Sequence, residues 1–135
     1  MDTRPITFEL ALQVAPDDID ELGHVNNVVY LRWVQDVAAA HWTSVTSAAE
    51  RAEIGWVVLR HEIDYTSPAR EGDRVIARTW VGPPSAATFE RHTEIVRAQD
   101  DRVLARARSV WCPVHPATGR LRRIDPALHD RFYTR

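Results

Sequence analysis

Apolar residues along the chain repeat with two different spacings. In residues 26–45 they lie three or four positions apart, which is the spacing of one face of an α-helix. The residues on this face are Leu31, Val34, Ala38, Trp42 and Val45. Tyr30, Val37 and His41 widen the face, so we expect a large surface to cover the helix. A break followed by a shorter helical stretch is expected at residues 46–53.

The rest of the chain is typical of strands, because apolar and polar residues alternate or form short apolar runs bounded by proline and glycine. The predicted strands are residues 6–14, 56–67, 74–82, 87–97 and 103–114. A short helix is expected at residues 125–133, with Asp125 as its N-cap and Pro126 in its first turn. Short connections favour antiparallel pairing. The sequence therefore predicts an α+β fold in which a five-stranded antiparallel sheet wraps around one long helix.

Length and composition narrow the class of protein. A chain of 135 residues fits a single domain over residues 1–135. The single cysteine, Cys112, excludes an internal disulfide and fits a reducing compartment. The first ten residues lack the features of a signal peptide, and no apolar run reaches the ~18 residues of a membrane span, so we expect a cytoplasmic protein without a membrane partner. The net charge of −2 gives no reason to expect a nucleic-acid partner.

A cluster of polar residues precedes the long helix. Four acids, a glycine, a histidine and two amides lie close together: Asp17, Asp18, Asp20, Glu21, Gly23, His24, Asn26 and Asn27. The spacing from Asp18 to Gly23 resembles the start of a calcium loop, but Leu22 and Val29 occupy positions that need oxygen ligands. The six histidines and Cys112 show no paired spacing of zinc ligands. We therefore expect no metal and no other cofactor.

Two interpretations of this polar cluster are open on the residues alone. In the first, Asn26 or Asn27 caps the helix, and the nearby carboxylates interact with the positive end of its dipole. Capping needs only one or two of these residues and leaves Gly23 and His24 unexplained. In the second, free N–H groups at the helix N-terminus bind a developing oxyanion, and a neighbouring carboxylate acts as base or nucleophile toward a carbonyl carbon. The second interpretation predicts acyl-transfer chemistry.

Three stretches of the sequence resemble one known family. Residues 18–30 read D-x-D-x-x-G-H-V-N-N-x-x-Y, which is similar to the signature of the 4-hydroxybenzoyl-CoA thioesterase family. The resemblance continues in residues 63–75, IDYTSPAREGDRV, and in residues 105–124, where a strand ends in a turn carrying T-G-R. It implies a hotdog fold and the hydrolysis of an acyl-CoA to a free acid and CoA. Because hotdog domains also include hydratases, dehydratases and non-catalytic acyl-CoA-binding modules, those functions are the alternatives.

The resemblance also implies roles for individual residues. Asp20 is the expected catalytic carboxylate, the backbone N–H of Asn27 is the expected oxyanion donor, and His24 is expected to place substrate or water. Six further residues are candidates for substrate binding: Gly23, Asn26, Tyr30, Trp33, Trp56 and Val58. A structural role in a turn, a cap or the core is the alternative for each of these six. Asp18 is expected to hold the loop by accepting backbone hydrogen bonds.

Assembly is a further implication of the resemblance. Hotdog proteins form homodimers by joining two sheets edge to edge, with each active site between protomers. Residues 56–67 are the expected joining strand, because this strand begins with four apolar residues in succession. Pairing of two dimers through outer sheet faces would give a homotetramer. All 17 basic residues are arginine, and Arg60, Arg70 and Arg91 are candidates for the phosphates of CoA, with solvated surface charge as the alternative for each.

Overall fold

The long helix and the five predicted strands are present in the computed structural model, which describes residues 4–85 and 87–134. The strands are β1 (Phe8–Gln13), β2 (Gly55–Tyr65), β3 (Arg74–Pro84), β4 (Phe89–Arg97) and β5 (Arg102–Val114). The helices are α1 (Asn27–Val45), α2 (Ala48–Glu53) and α3 (Pro126–His129). Each strand and α1 begin and end within two residues of the predicted bounds. The ends of the predicted domain, residues 1–3 and 135, lie outside the described residues.

The C-terminal segment differs from the prediction of one helix over residues 125–133. The helix α3 ends at His129, and a 3₁₀ turn over Asp130–Phe132 follows it. Asp125 caps α3 as predicted. The 3₁₀ turn ends at Phe132, whose side chain is fully buried, so the packing of this ring takes the place of a further helical turn.

The five strands form one antiparallel sheet in the order β1-β3-β4-β5-β2. From β3 to β5 each strand pairs with the next one along the chain, whereas β2 pairs with β5, so that Tyr65 lies opposite Ala105. A register shift between Val58 and Arg60 marks an irregularity in β2. This order makes β1 and β2 the two edges of the sheet. The predicted fold class, a five-stranded antiparallel sheet with one long helix, is confirmed.

The helix α1 packs across one face of the sheet against β1, β3 and β4. Its buried residues are Val29, Tyr30, Trp33, Val34, Val37, Ala38 and His41. This buried face is rotated relative to the predicted one, because Leu31, Trp42 and Val45 are only partly buried. Tyr30 and Val37, which were expected only to widen the face, lie at its centre, since the sheet covers the helix from their side.

Arg91 is buried, so the expectation of a solvated surface charge at this position is wrong. Only 4% of the residue is exposed, because alternation along β4 turns it inward together with Phe89 and Thr93. Nη1 of Arg91 lies 2.9 Å from Nδ1 of His41 and donates to Oγ1 of Thr79 at 3.2 Å. Burial, together with the charge of Arg91, lowers the pKa of His41 to about 4. His41 is therefore neutral at neutral pH, and its Nδ1 accepts the hydrogen bond.

Candidate active site

The polar segment before α1 folds into a tight turn around Asp20. Oδ1 of Asp20 accepts hydrogen bonds from the N–H groups of Leu22 at 2.9 Å and His24 at 3.2 Å. The N–H of Asp20 donates to the carbonyl oxygen of His24 at 2.7 Å and closes the turn. Gly23 adopts a φ of 77°, a left-handed conformation that costs other residues roughly 1–2 kcal/mol. A Cβ on Gly23 would meet no atom within 4 Å, so the backbone conformation, and not lack of space, favours glycine there.

Asp18 is buried and connects this turn to the start of the helix. Its carboxylate accepts hydrogen bonds from the N–H of Ala15 and from Nη2 of Arg32, each at 2.9 Å. Its carbonyl oxygen accepts the N–H of Asn26 at 2.8 Å. Burial opposes the ionisation of Asp18, but the hydrogen bond from Ala15 and the guanidinium of Arg32 outweigh it and lower the pKa of this carboxyl. The expectation that Asp18 holds the loop through a backbone hydrogen bond is confirmed.

Asn26 is the N-cap of α1, and Asn27 is its first helical residue. The side-chain oxygen of Asn26 accepts the N–H of Val28 at 3.1 Å, and its carbonyl oxygen accepts the N–H of Val29 at 2.9 Å. The N–H of Asn27 has no acceptor within the helix, because the first N–H groups of an α-helix lack intrahelical partners. The positive end of the helix dipole favours negative charge at this position. Helix capping and an available donor therefore occur together, on neighbouring residues.

Asp20 and the start of α1 line the same cleft, which has a volume of about 480 Å³. Its other wall comes from the end of β2 and the loop that follows. The lining residues are Asp20, Leu22, His24, Val25, Asn26, Asn27, Tyr30, Tyr65, Thr66, Ser67 and Pro68. The cleft thus brings together five of the predicted site residues: Asp20, His24, Asn26, Asn27 and Tyr30.

The other predicted site residues lie outside this cleft. Gly23 belongs to the adjoining turn and is not among the lining residues. Trp33 lies in the core with 2% exposure, a position that does not support the expected contact with substrate. Trp56 and Val58 are on β2, and Trp56 lines a separate cavity between α1 and the sheet. Trp33 therefore contributes to core packing, and Trp56 contributes to the wall of a second cavity in the same protomer.

The segment after β2 forms a wall of the cleft that the sequence-based hypothesis did not include. The hydroxyl of Tyr65 donates to the carbonyl oxygen of Asn27 at 3.3 Å, and its ring packs edge-on against that of Tyr30 with centroids 5.5 Å apart. The hydroxyl of Tyr30 accepts the N–H of Ala69 at 2.9 Å, so the loop is attached to the helix. The family resemblance over residues 63–75 covers this segment and is the signal that identifies it.

The polar groups of the cleft are carboxylate, imidazole, hydroxyl and amide groups, together with backbone N–H groups. In residues 4–85 and 87–134, no group of three or more His, Cys, Asp or Glu side chains is arranged to hold a metal ion. No helix within these ranges is long and apolar enough to cross a membrane.

Comparison with protein families places the chain in a known class. A family model described as the thioesterase-like superfamily matches residues 14–132. The chain therefore belongs to the thioesterase-like superfamily, and the match supports an enzyme that hydrolyses thioesters. A comparison with curated proteins gives no match.

Three solved structures of thioesterases have the same fold. A 1,4-dihydroxy-2-naphthoyl-CoA thioesterase from Synechocystis is 22% identical, with a TM-score of 0.81 over 93% of this chain and 95% of that chain. A DHNA-CoA thioesterase from Staphylococcus aureus is 15% identical, with a TM-score of 0.82 over 93% of this chain and 88% of that one. A thioesterase from Thermus thermophilus, complexed with coenzyme A and Zn, is 22% identical, with a TM-score of 0.79 over 92% and 90% of the two chains. These likenesses show the hotdog fold that was predicted.

We expect Asp18→Asn to lower the free energy of unfolding by about 1–2 kcal/mol at neutral pH, because Ala15 and Arg32 lose a charged acceptor. The folded-state pKa of Asp18 is below its unfolded value. Its contribution to stability is therefore present above the unfolded pKa, near 4, and is lost as the pH falls through the folded pKa. Urea denaturation of both proteins between about pH 7 and pH 2 measures this difference.

Asp17→Asn is the matched control, because Asp17 is an exposed carboxylate on the preceding residue. Its free energy of unfolding should stay within about 0.5 kcal/mol of the wild-type value. If the difference between wild type and Asp18→Asn did not shrink at low pH, the charged state of Asp18 would not be what stabilises the loop.

Proposed function

We propose that this chain is an acyl-CoA thioesterase of the 4-hydroxybenzoyl-CoA thioesterase type. In this reaction water supplies the hydroxyl of the free acid, the C–S bond breaks, and CoA leaves as the thiol. The observation that carries the proposal is the shared cleft of the Asp20 carboxylate and the N–H of Asn27 at the start of α1. The structurally similar proteins from Synechocystis and Staphylococcus aureus are both thioesterases of a CoA ester, which supports this type of substrate.

Asp20 supplies the carboxylate that acts on the thioester. Its Oδ1 is occupied by the N–H groups of Leu22 and His24, whereas its Oδ2 has no hydrogen-bond partner in the part of the chain that the structure describes. The hydrogen bonds to Oδ1 fix the orientation of the carboxylate, and Oδ2 is left for the reaction. A carboxylate in this position either removes a proton from water or attacks the carbonyl carbon itself.

The start of α1 stabilises the charge that develops on the substrate. The carbonyl oxygen of a thioester gains negative charge as the tetrahedral intermediate forms. A preorganised backbone donor such as the N–H of Asn27 stabilises that oxygen more strongly than water does, because the donor needs no reorganisation. His24 lines the same cleft and places substrate or water there.

A hydratase or a non-catalytic binding module is the second class of function. A hotdog hydratase pairs its acid with a histidine on a differently spaced motif, which this sequence lacks. A binding module needs no carboxylate in its cleft with an oxygen left free of hydrogen bonds. The geometry of Asp20 therefore favours hydrolysis.

Arg70 is the candidate for the phosphates of CoA that lies nearest to the cleft. It lines a neighbouring depression together with Arg97 and Arg102, and this depression shares Ser67 and Pro68 with the Asp20 cleft. Asp73 and Asp100 line the same depression and form ion pairs with Arg97 at 3.4 Å and 2.9 Å, so Arg70 and Arg102 are the guanidinium groups there that suit the geometry of phosphate. The other surface candidate, Arg60, lies on β2 and forms an ion pair with Glu62 at 2.6 Å.

The edge strand β2 supports a homodimer. Val57 and Leu59 on this strand are 47% and 59% exposed, and the outer edge of β2 pairs with no strand among the described residues. An open edge with apolar side chains favours pairing with another chain. Antiparallel pairing of β2 with its own copy, centred on the strand, would bring Tyr65 of one protomer beside the partner's Trp56. Each cleft would then lie at the junction between the two protomers.

We expect Asp20→Asn to remain folded and to lower kcat by roughly 10²–10⁴, the scale for losing a positioned base or nucleophile. Asparagine keeps a side-chain oxygen for the N–H groups of Leu22 and His24, so the turn should persist. Release of free thiol from a panel of acyl-CoAs measures the activity, and thermal melting monitors the fold. Asp17→Asn is again the matched control. Turnover by Asp20→Asn within about threefold of wild type would contradict the assignment.

The same panel separates the classes of function. A thioesterase releases thiol, a hydratase changes the absorbance of an enoyl-CoA without releasing thiol, and a binding module does neither.

Two substitutions at one position test the backbone donor. Asn27→Pro removes the N–H and should lower kcat by roughly 10²–10³, the cost of one oxyanion donor. Proline is tolerated at the first helical position, and the preceding Asn26, with φ of −61° and ψ of 139°, already has the extended conformation that proline requires of its predecessor. Asn27→Ala keeps the N–H and should retain most of the activity. Equal kinetics and equal melting temperatures for the two variants would rule out a backbone oxyanion donor at this position.

We expect the active species to be a homodimer. Light scattering at micromolar concentration measures the mass, and activity measured on dilution shows whether activity falls as the protomers separate. A fully active monomer would refute both the shared cleft and the pairing of β2.

A further inference from the structure

A second cavity lies between α1 and the strands β2, β4 and β5. Half of its eight lining residues are aromatic, and we call it the tryptophan cavity after three of them, Trp42, Trp56 and Trp111. Phe89 and Arg91 complete the wall formed by the sheet. The volume of this cavity is about 150 Å³. An apolar cavity of roughly this volume accommodates a group of the size of benzene.

Arg91 brings a cation to this cavity without a carboxylate to balance it. Nη1 of Arg91 is occupied by His41 and Thr79, while Nε and Nη2 have no acceptor in residues 4–85 and 87–134. No carboxylate in these ranges lies within 4.0 Å of the guanidinium, and the group stacks over the ring of Phe132 at 5.7 Å. Burial lowers the pKa of Arg91 to about 10, so the side chain is still a cation at neutral pH.

The other polar groups on this part of the cavity wall do not neutralise Arg91. His41 is neutral, and Thr79 offers only a hydroxyl. The indole nitrogen of Trp111 is buried without a hydrogen-bond partner in the described part of the chain, and it is a donor as well. Gln35, at the helix side of the cavity, carries an amide with both a donor and an acceptor, so Arg91 is the one charged group among the lining residues and makes this wall complementary to an anion. A buried cation with only neutral hydrogen-bond partners keeps much of its desolvation cost, and a carboxylate that pairs with it removes part of that cost.

We infer that the acyl group of the substrate carries a carboxylate at its far end, which enters the tryptophan cavity and pairs with Arg91. This inference rests on the proposed acyl-CoA thioesterase function and specifies its substrate class. The cavity volume limits the part of the acyl group that enters it to a single ring or a chain of about six carbons. The aromatic walls bind the hydrocarbon part, and the guanidinium binds the carboxylate in bidentate geometry.

In the proposed dimer, an acyl group held at the Asp20 cleft of one protomer extends into the tryptophan cavity of the other. Gln35, the residue of the cavity wall nearest to Asn27 along α1, lies eight residues beyond it, which is roughly 12 Å at about 1.5 Å per residue. A short acyl group held by its carbonyl at Asn27 does not span that length. Antiparallel pairing of β2 with its copy places the partner's Trp56 beside Tyr65, which lines the Asp20 cleft. The partner's tryptophan cavity is therefore the one within reach.

Two matched pairs of substrates test the inference. Adipoyl-CoA and hexanoyl-CoA have the same number of acyl carbons, and 4-carboxybenzoyl-CoA and benzoyl-CoA share a ring; only the first of each pair carries the distal carboxylate. We expect kcat/KM of the wild type to be about 10- to 100-fold higher for the carboxylated member, the scale of one buried charge-assisted interaction. Arg91→Gln should abolish this ratio, and Arg91→Lys should restore part of it. A wild-type ratio near one, with hydrolysis of the neutral esters, would overturn the inference and leave the thioesterase function in place.

A binding measurement keeps the inference testable if Arg91→Gln fails to fold or if no ester is hydrolysed. Benzoate and benzamide have the same ring, but only benzoate carries a carboxylate. We expect calorimetric titration of the wild-type protein to show binding of benzoate at least about 10-fold tighter than binding of benzamide. Equal affinity for the two compounds would contradict an anion site at Arg91, whatever the outcome of the kinetic assays.

Mixed dimers test the exchange of sites between protomers. In a heterodimer of one Asp20→Asn chain and one Arg91→Gln chain, the intact Asp20 and the intact Arg91 belong to different protomers. If a cleft uses the partner's cavity, this heterodimer regains the preference for the carboxylated substrate, which neither homodimer shows. Activity without that preference would contradict the placement of the cavity at the partner's cleft.

Discussion

The hydrogen bonds of Asp18 are the constraint on which the geometry of the candidate site depends. Its carboxylate binds the N–H of Ala15 and the guanidinium of Arg32, and its carbonyl oxygen binds the N–H of Asn26. A buried carboxylate is stable only when such partners compensate its charge. Because Asp20 follows two residues later and Asn27 is next to Asn26, these bonds hold the candidate carboxylate and the candidate oxyanion donor in one fixed arrangement.

The two ends of the edge strand β2 contribute to two different sites. Its C-terminal residue Tyr65 forms a wall of the Asp20 cleft, and Trp56 near its N-terminus lines the tryptophan cavity. In the proposed homodimer, antiparallel pairing of this strand makes the two sites neighbours. The cleft then offers a carboxylate and a backbone donor for the thioester, and the cavity offers Arg91 for an anionic group. Because pairing of β2 brings the cleft and the cavity together, dimer formation would also determine which acyl groups the protein accepts.

The part of the candidate site that could be predicted from the sequence is the part made of contiguous residues. Asp20, His24 and Asn27 lie within eight positions of one another, so a local motif and the physics of a helix N-terminus are sufficient to identify them. The opposite wall of the cleft comes from Tyr65 and its loop, almost forty positions away in the chain. Its approach to the helix depends on a hydrogen bond to Tyr30 and a ring contact, which no local pattern specifies.

The sequence by itself determined α1 and the five strands, because helical and strand spacings are properties of neighbouring residues. It permitted the left-handed turn at Gly23, since glycine adopts a positive φ without steric cost. The tertiary structure decided that β2 pairs with β5, because strand pairing joins residues far apart in the chain. It also decided the environment of Arg91: alternation places this residue on the face of Phe89, but arginine is seldom buried, and its contacts with the neutral side chains of His41 and Thr79 depend on the packing of α1 against the sheet.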